Sequence, residues 1–198
     1  VSSPVLALAL RPAERVPARF YDALLVAGFS LIIAVSAQVS IPLPFTPVPV
    51  TLQTFAVVLT GALLGSRRGA AALLAYLAEG LAGLPVFSLG GAGLGHLLGP
   101  TGGYLVGFVA AAWLTGYLVQ RRVAARIPGA LLVIVTGHLV PYVTGVAWLS
   151  AAVDFPRALV LGFVPFLIGD TLKVAASVGI LAGANVLGAT ATNRAKAE

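Results

Sequence analysis

The 198-residue sequence contains no cysteine. That excludes a disulfide framework, a thiolate nucleophile and a cysteine metal site, and it leaves the redox compartment open. Charge is also scarce: Asp, Glu, Lys and Arg make up 9% of the chain, against about 25% in a soluble domain. No GxxxxGK[ST] phosphate loop occurs, so this chain does not itself hydrolyse ATP. No HExxH frames a metal, and His96 and His138 read as hydrogen-bonded packing residues. No GxSxG supplies a serine elbow. No catalytic residue, metal or cofactor is therefore expected. Nor does a methionine open the chain, so the natural start is expected upstream.

What fills the sequence instead is apolar: 59% of residues are hydrophobic and the mean hydropathy is +1.03. Most of such a chain has lipid as its solvent. Six apolar segments can be drawn, Ala23 to Ser40, Val48 to Gly65, Gly69 to Leu84, Gly102 to Val119, Gly129 to Leu149 and Val164 to Leu187. Their lengths approach the roughly 17 to 25 residues of a spanning helix, the third being marginal. Runs this long without period-two alternation predict helices rather than a barrel. The expected fold is an all-α membrane protein with one six-helix domain over residues 23–190, flanked by tails at 1–22 and 191–198. The opening VSSPVLALALRPAERVPARF has its arginines after the apolar patch, the reverse of a signal peptide, and is read as a cytoplasmic tail.

Ten of the twelve Lys and Arg fall on one side of this arrangement: Arg11, Arg15, Arg19, Arg67, Arg68, Arg121, Arg122, Arg126, Arg194 and Lys196. The positive-inside bias makes that side, with both termini, cytoplasmic. The net charge of +6 is thus a topology signal. It does not point to nucleic acid, since no basic patch is interleaved with aromatics. On the opposite side, IPLPFTPVP and PVFSLGGAGLGHLLGPT carry no charged residue. Apolar loops of this kind either fold back to line a cavity or form tight turns at the membrane surface.

Six charges remain. Asp22, Asp154 and Arg157 read as solvated or capping groups, whereas Glu79, Asp170 and Lys173 fall within apolar segments, in their outer halves. A charge at the bilayer centre costs at least about 2.5 kcal/mol, which makes such residues functional candidates. Asp170 and Lys173, at i and i+3, either serve a ligand or neutralise each other for insertion. Glu79 is protonated, snorkelling or paired with Lys173; the sequence leaves the three open. In GPTGGY, Thr101 and the amides of Gly102 and Gly103 stand at a helix N-terminus, suited to an anion or to capping.

The stretches IPLPFTPVPVTLQTFAVVLTGALLGSRRGA, GLPVFSLGGAGLGHLLGPTGGYLVGF and PFLIGDTLKVA resemble the BioY family, the biotin-binding substrate components of energy-coupling factor (ECF) transporters. The resemblance implies capture of biotin, without a cofactor, by a six-helix component in the cytoplasmic membrane of a prokaryote. It also implies partnership with a transmembrane coupling protein and two ATPases. Asp170 and Lys173 match the family's ligand motif, and loop roles carry over to Thr51, Gln53, Thr101 and Tyr104; Glu79 lies outside the motif residues that match. The family meets its coupling protein through small residues spaced by four on helix one, here Ala23 and Ala27.

Biotin joins a carboxylate tail to a ureido ring with two N–H donors and a carbonyl. On this reading Lys173 pairs with the carboxylate, and Asp170 accepts from the ureido or holds the lysine. A rival from another class is a self-sufficient secondary carrier or channel using Glu79, Asp170 and Lys173 as an ion relay. Against it, no internal repeat is evident.

Overall fold

A computed structural model describes the backbone over residues 17–194 and side chains over residues 17–184. Residues 1–16 and 195–198 of the expected tails, with Arg11, Arg15 and Lys196, lie outside the described residues. The described residues are mainly helical, and each of the six apolar segments yields one helix of 12 residues or more. These are α1 (Ala18–Gln38), α2 (Gln53–Leu64), α3 (Ser66–Leu81), α5 (Gly102–Gln120), α6 (Ile127–Leu149) and α8 (Leu167–Arg194). Two shorter helices, α4 (Gly93–Leu97) and α7 (Phe155–Gly162), lie in loops.

Four helical runs among the described residues are long and apolar enough to cross a membrane: Ala18–Gln38, Gly102–Gln120, Ile127–Leu149 and Phe155–Ala184. The helices α2 and α3, with 12 and 16 residues, reach only about 18 and 24 Å at 1.5 Å per residue.

The second segment differs from expectation at its start. Its helix begins at Gln53, and Val50–Thr51 instead pairs antiparallel with Ser40–Ile41, in the register Ser40↔Thr51 and Ile41↔Val50. Pro47 and Pro49 cannot donate backbone hydrogen bonds and push the residues before them towards extended backbone, while Val48, Val50 and Thr51 are β-branched. The ribbon folds IPLPFTPVP back over the bundle, burying Val48. The turn between α2 and α3 is one residue, Gly65, at φ 83°, so Arg67 and Arg68 stand in the first turn of α3 rather than in a connecting loop.

The sequence between α6 and α8 is not simply a loop. Asp154 caps α7 by accepting from the Arg157 amide at 2.9 Å, the capping role expected of it. Asp22, by contrast, is ion-paired to Arg68 at 2.7 Å and ties the start of α1 to the start of α3.

At the centre of the bundle, α5 packs against α2, α3 and α6. The crossings are close because small residues meet there: a Cβ at Gly61 would lie 2.2 Å from the Ala112 carbonyl oxygen. One buried cluster, including Val57, Leu73, Tyr76, Phe108, Tyr142 and Phe166, sits at one end. A second, including Val58, Ala62, Val133, Ile134 and Leu181, fills the other. Polar side chains gather beside the first cluster, at the end away from Arg19, Arg67, Arg121 and Arg126.

Candidate functional site

The site is assembled from the first turn of α2, the first two turns of α5 and α8, the middle of α6, and two loops. A cavity is walled by Val48, Pro49, Leu105, Phe108 and Phe166, with Thr51, Gln53, Thr54, Ser88, Thr101, Tyr104, Tyr142 and Lys173 as its polar lining. An apolar enclosure with a few fixed polar groups is the usual form of a small-molecule site.

At its base, Lys173 Nζ donates to Asp170 Oδ1 at 2.7 Å and to Thr54 Oγ1 at 3.0 Å. The Tyr142 hydroxyl donates to Asp170 Oδ2. Both charged side chains are about nine-tenths buried. The neighbours account for these contacts: Asp170 and Lys173 share a face of α8, Thr54 lies in the first turn of α2, and Tyr142 comes from α6. An ammonium has three donors, of which two are used here, and each carboxylate oxygen can accept more than once. The pair therefore has one spare donor and spare acceptor capacity.

Beside the pair, a chain of neutral hydrogen bonds runs from the cavity lining into the bundle. Thr51 Oγ1 accepts from the Gln53 amide at 3.3 Å and donates to Gln53 Oε1 at 3.2 Å. Gln53 Nε2 donates to the Tyr76 hydroxyl at 2.7 Å, which in turn donates to the Val86 carbonyl at 3.2 Å. Tyr104 donates to the Gly162 carbonyl at 2.7 Å, fixing its ring edge-on to Tyr142. Thr101 is the N-cap of α5 but makes no capping bond; its hydroxyl lies 3.4 Å from His96 Nε2. The Gly102 amide is taken by the Gly99 carbonyl at 3.0 Å, so that donor does not face a ligand.

Thr51, Gln53, Thr101, Tyr104 and Lys173 thus surround one cavity, with Asp170 bound to Lys173 at its base. Glu79 stands elsewhere: it accepts from the buried Ser30 hydroxyl at 2.7 Å, linking α3 to α1, and is not in the cavity wall. Ala23 and Ala27 are exposed on α1. His96 stacks on Phe87 with ring centroids 5.2 Å apart, and burial lowers its pKa from the ordinary value. His138 bonds through Nδ1 to the Ile134 carbonyl at 3.0 Å. Among the described residues no cluster of three or more His, Asp or Glu could hold a metal. Thr54 and Tyr142 are site residues that the sequence reading missed. Thr54 stood in the TLQTF stretch; Tyr142 carried no signal, because its partner is 28 residues away.

The BioY family model matches residues 12–189. This chain belongs to the BioY family. A probable biotin transporter BioY of Pyrococcus horikoshii is 40% identical over 154 residues, 78% of this chain and 90% of that protein. The biotin transporter BioY2 of Lactococcus lactis is 39% identical over 157 residues, 78% and 85% of the two chains. The fold is similar to the crystal structure of an S-component for biotin from an ECF-type ABC transporter. That match has a TM-score of 0.75 and 28% identity, and covers 82% of this chain and 89% of that one. BioY is a transporter family and not an enzyme family, in keeping with the missing catalytic motifs.

Proposed function

We propose that this protein captures biotin at the outer face of a prokaryotic cytoplasmic membrane, as the substrate-binding component of an ECF transporter. The observation that carries the reading is the buried Asp170–Lys173 pair at the base of an apolar cavity, in a chain that aligns with biotin transporters over most of its length. The pair is already neutral. A ureido ring can donate to Asp170 and accept from the spare Lys173 donor without adding net charge, whereas a carboxylate there would leave −1 in a buried site. The ureido is therefore assigned to the base and the carboxylate to the outer mouth, which reverses the role first expected of Lys173. Thr51, Gln53, Thr101 and Tyr104 shape the wall around the bicyclic ring.

The proposed topology has six spans with both termini cytoplasmic. Its support is that Arg19, Arg67, Arg68, Arg121, Arg122 and Arg126 fall at helix ends opposite those that build the cavity. Exposed Ala23 and Ala27 form the proposed contact with a coupling protein, which two ATPases would energise. Glu79 is left without a ligand role, and its position against α1 separates it from the pair with which an ion relay would need it to act.

Calorimetric titration of the detergent-purified protein with biotin, thiamine and riboflavin tests the assignment. Submicromolar binding of biotin alone, at about one per chain, is expected. Binding of another vitamin in its place would overturn the substrate.

A further inference from the structure

Gln38, the last residue of α1, lies outside the cavity wall, yet its side chain is among the most heavily bonded in the molecule. Its Nε2 stands 3.1 Å from the Phe87 carbonyl oxygen, 3.3 Å from that of Val86, 3.4 Å from that of Pro85 and 3.3 Å from that of Ala34 in its own helix, so its two N–H donors are shared among four carbonyls. Its Oε1 accepts from the Gly90 amide at 3.2 Å, which fixes the way the amide faces. One planar group thus grips both limbs of the turn at residues 85–90.

That turn does not rest in a favourable backbone state. Leu89 and Gly90 are consecutive left-handed residues, with φ of 58° and 70°. Glycine accepts this region freely, but leucine does so only against a steric penalty. The Leu89 side chain is 61% exposed, so little packing offsets the strain. Within the turn, the Phe87 amide donates to the Gly91 carbonyl at 3.0 Å and the Gly91 amide donates to the Ser88 carbonyl at 3.1 Å. Ser88, between Phe87 and Leu89, is buried and forms part of the cavity wall.

We propose that Gln38 is a positioning residue for ligand retention: its amide fastens the strained 85–90 turn, and with it Ser88, to the outer end of α1. Gln38 does not touch the ligand; it acts through the turn. The proposal rests on the reading of this cavity as the biotin site. Without the amide, only the Tyr76–Val86 bond and the packing of Phe87 hold the turn; it then opens more often at Leu89, and bound ligand escapes through the wall that Ser88 completes.

Two variants test it. Gln38→Ala removes the bonds, and Gln38→Met removes them while keeping length and bulk. Three quantities are read: hydrogen–deuterium exchange of residues 85–91 without ligand, the dissociation rate of labelled biotin in a chase, and the melting temperature of the ligand-free protein. Both variants are expected to exchange faster at 85–91 and to release biotin about tenfold faster, as the loss of one or two net hydrogen bonds implies. Association rate and ligand-free melting temperature should stay near wild type. A Gln38→Met protein with wild-type exchange and dissociation overturns the proposal, since packing alone would then suffice. Early melting with faster exchange throughout the chain also overturns it, by making Gln38 a general structural residue. If wild-type protein fails to bind biotin, the function reading falls and the retention role falls with it. Wild-type binding with unchanged variant kinetics removes the Gln38 role alone.

Discussion

Tyr142 and Asp170 are joined across the boundary between α6 and α8, the phenol donating to one carboxylate oxygen while Lys173 takes the other. Asp170 therefore has two donors of different kinds, one charged and one neutral. Tyr142→Phe removes the neutral one and leaves a buried carboxylate oxygen short of a partner. Biotin binding is expected to weaken by about 1–3 kcal/mol, the usual effect of an unsatisfied buried acceptor. Titration calorimetry on the variant measures this, and an unchanged affinity would remove Tyr142 from the site.

Lys173→Ala breaks the pair from the other side. Binding should weaken by at least roughly 2 kcal/mol, the scale for truncating one partner of a buried charge pair. Because the ureido ring is assigned to this end, biotin and a biotin amide should lose affinity alike. A loss confined to biotin would put its carboxylate on Lys173 instead.

Gly80 is where Phe87 seats. A Cβ there would lie 2.1 Å from the end of the Phe87 ring, which also packs edge-on to Tyr76 at 5.5 Å. Gly80→Ala should displace the ring and destabilise the protein by about 1–3 kcal/mol, as overpacking does. A lowered melting temperature together with weaker biotin binding is expected. Wild-type behaviour would show that the loop tolerates a shift of Phe87.

Ala27 lies on an exposed face of α1 with Ala23 one turn away. Gly28 beside it has nothing within 4 Å of a built Cβ. Ala27→Leu should leave biotin binding by the isolated protein unchanged, because no cavity residue is near in sequence or on that face. Co-purification with the coupling protein, and ATP-driven uptake, should both fall as the bulkier side chain holds the surfaces apart. Normal assembly would move the docking surface elsewhere.

The base of the site was legible because charge in an apolar helix stands out, and PFLIGDTLKVA put Asp170 and Lys173 three residues apart on one face. Helix existence was legible from apolar run length. Helix starts were not, because Val48 to Leu52 is as apolar as the helix that follows, and only Pro47, Pro49 and the β-branched residues between and after them argue for the ribbon. Tyr142 could not be found by pattern: a tyrosine in an apolar helix looks the same whether it packs or donates. Glu79 was ambiguous for the same reason in reverse, since Ser30 is a small residue with no sequence signal, 49 positions away. Thr51, Gln53 and Tyr104 entered through family resemblance alone, whereas Thr101 was also marked by GPTGGY at a helix N-terminus. Gln38, at the end of α1 and outside the stretches that carried that resemblance, was missed.

A charge count of zero at the base of the cavity has an electrical consequence. The Asp170–Lys173 pair contributes no net charge, so the transmembrane voltage does no work on this pair when the site is translated through the field. Biotin adds one negative charge. With the cell interior negative, carrying that charge fully inward runs uphill by about 2.3 kcal/mol for each 100 mV. On the proposed function, the resting potential opposes uptake rather than driving it, and nucleotide hydrolysis by the partner ATPases must supply that work.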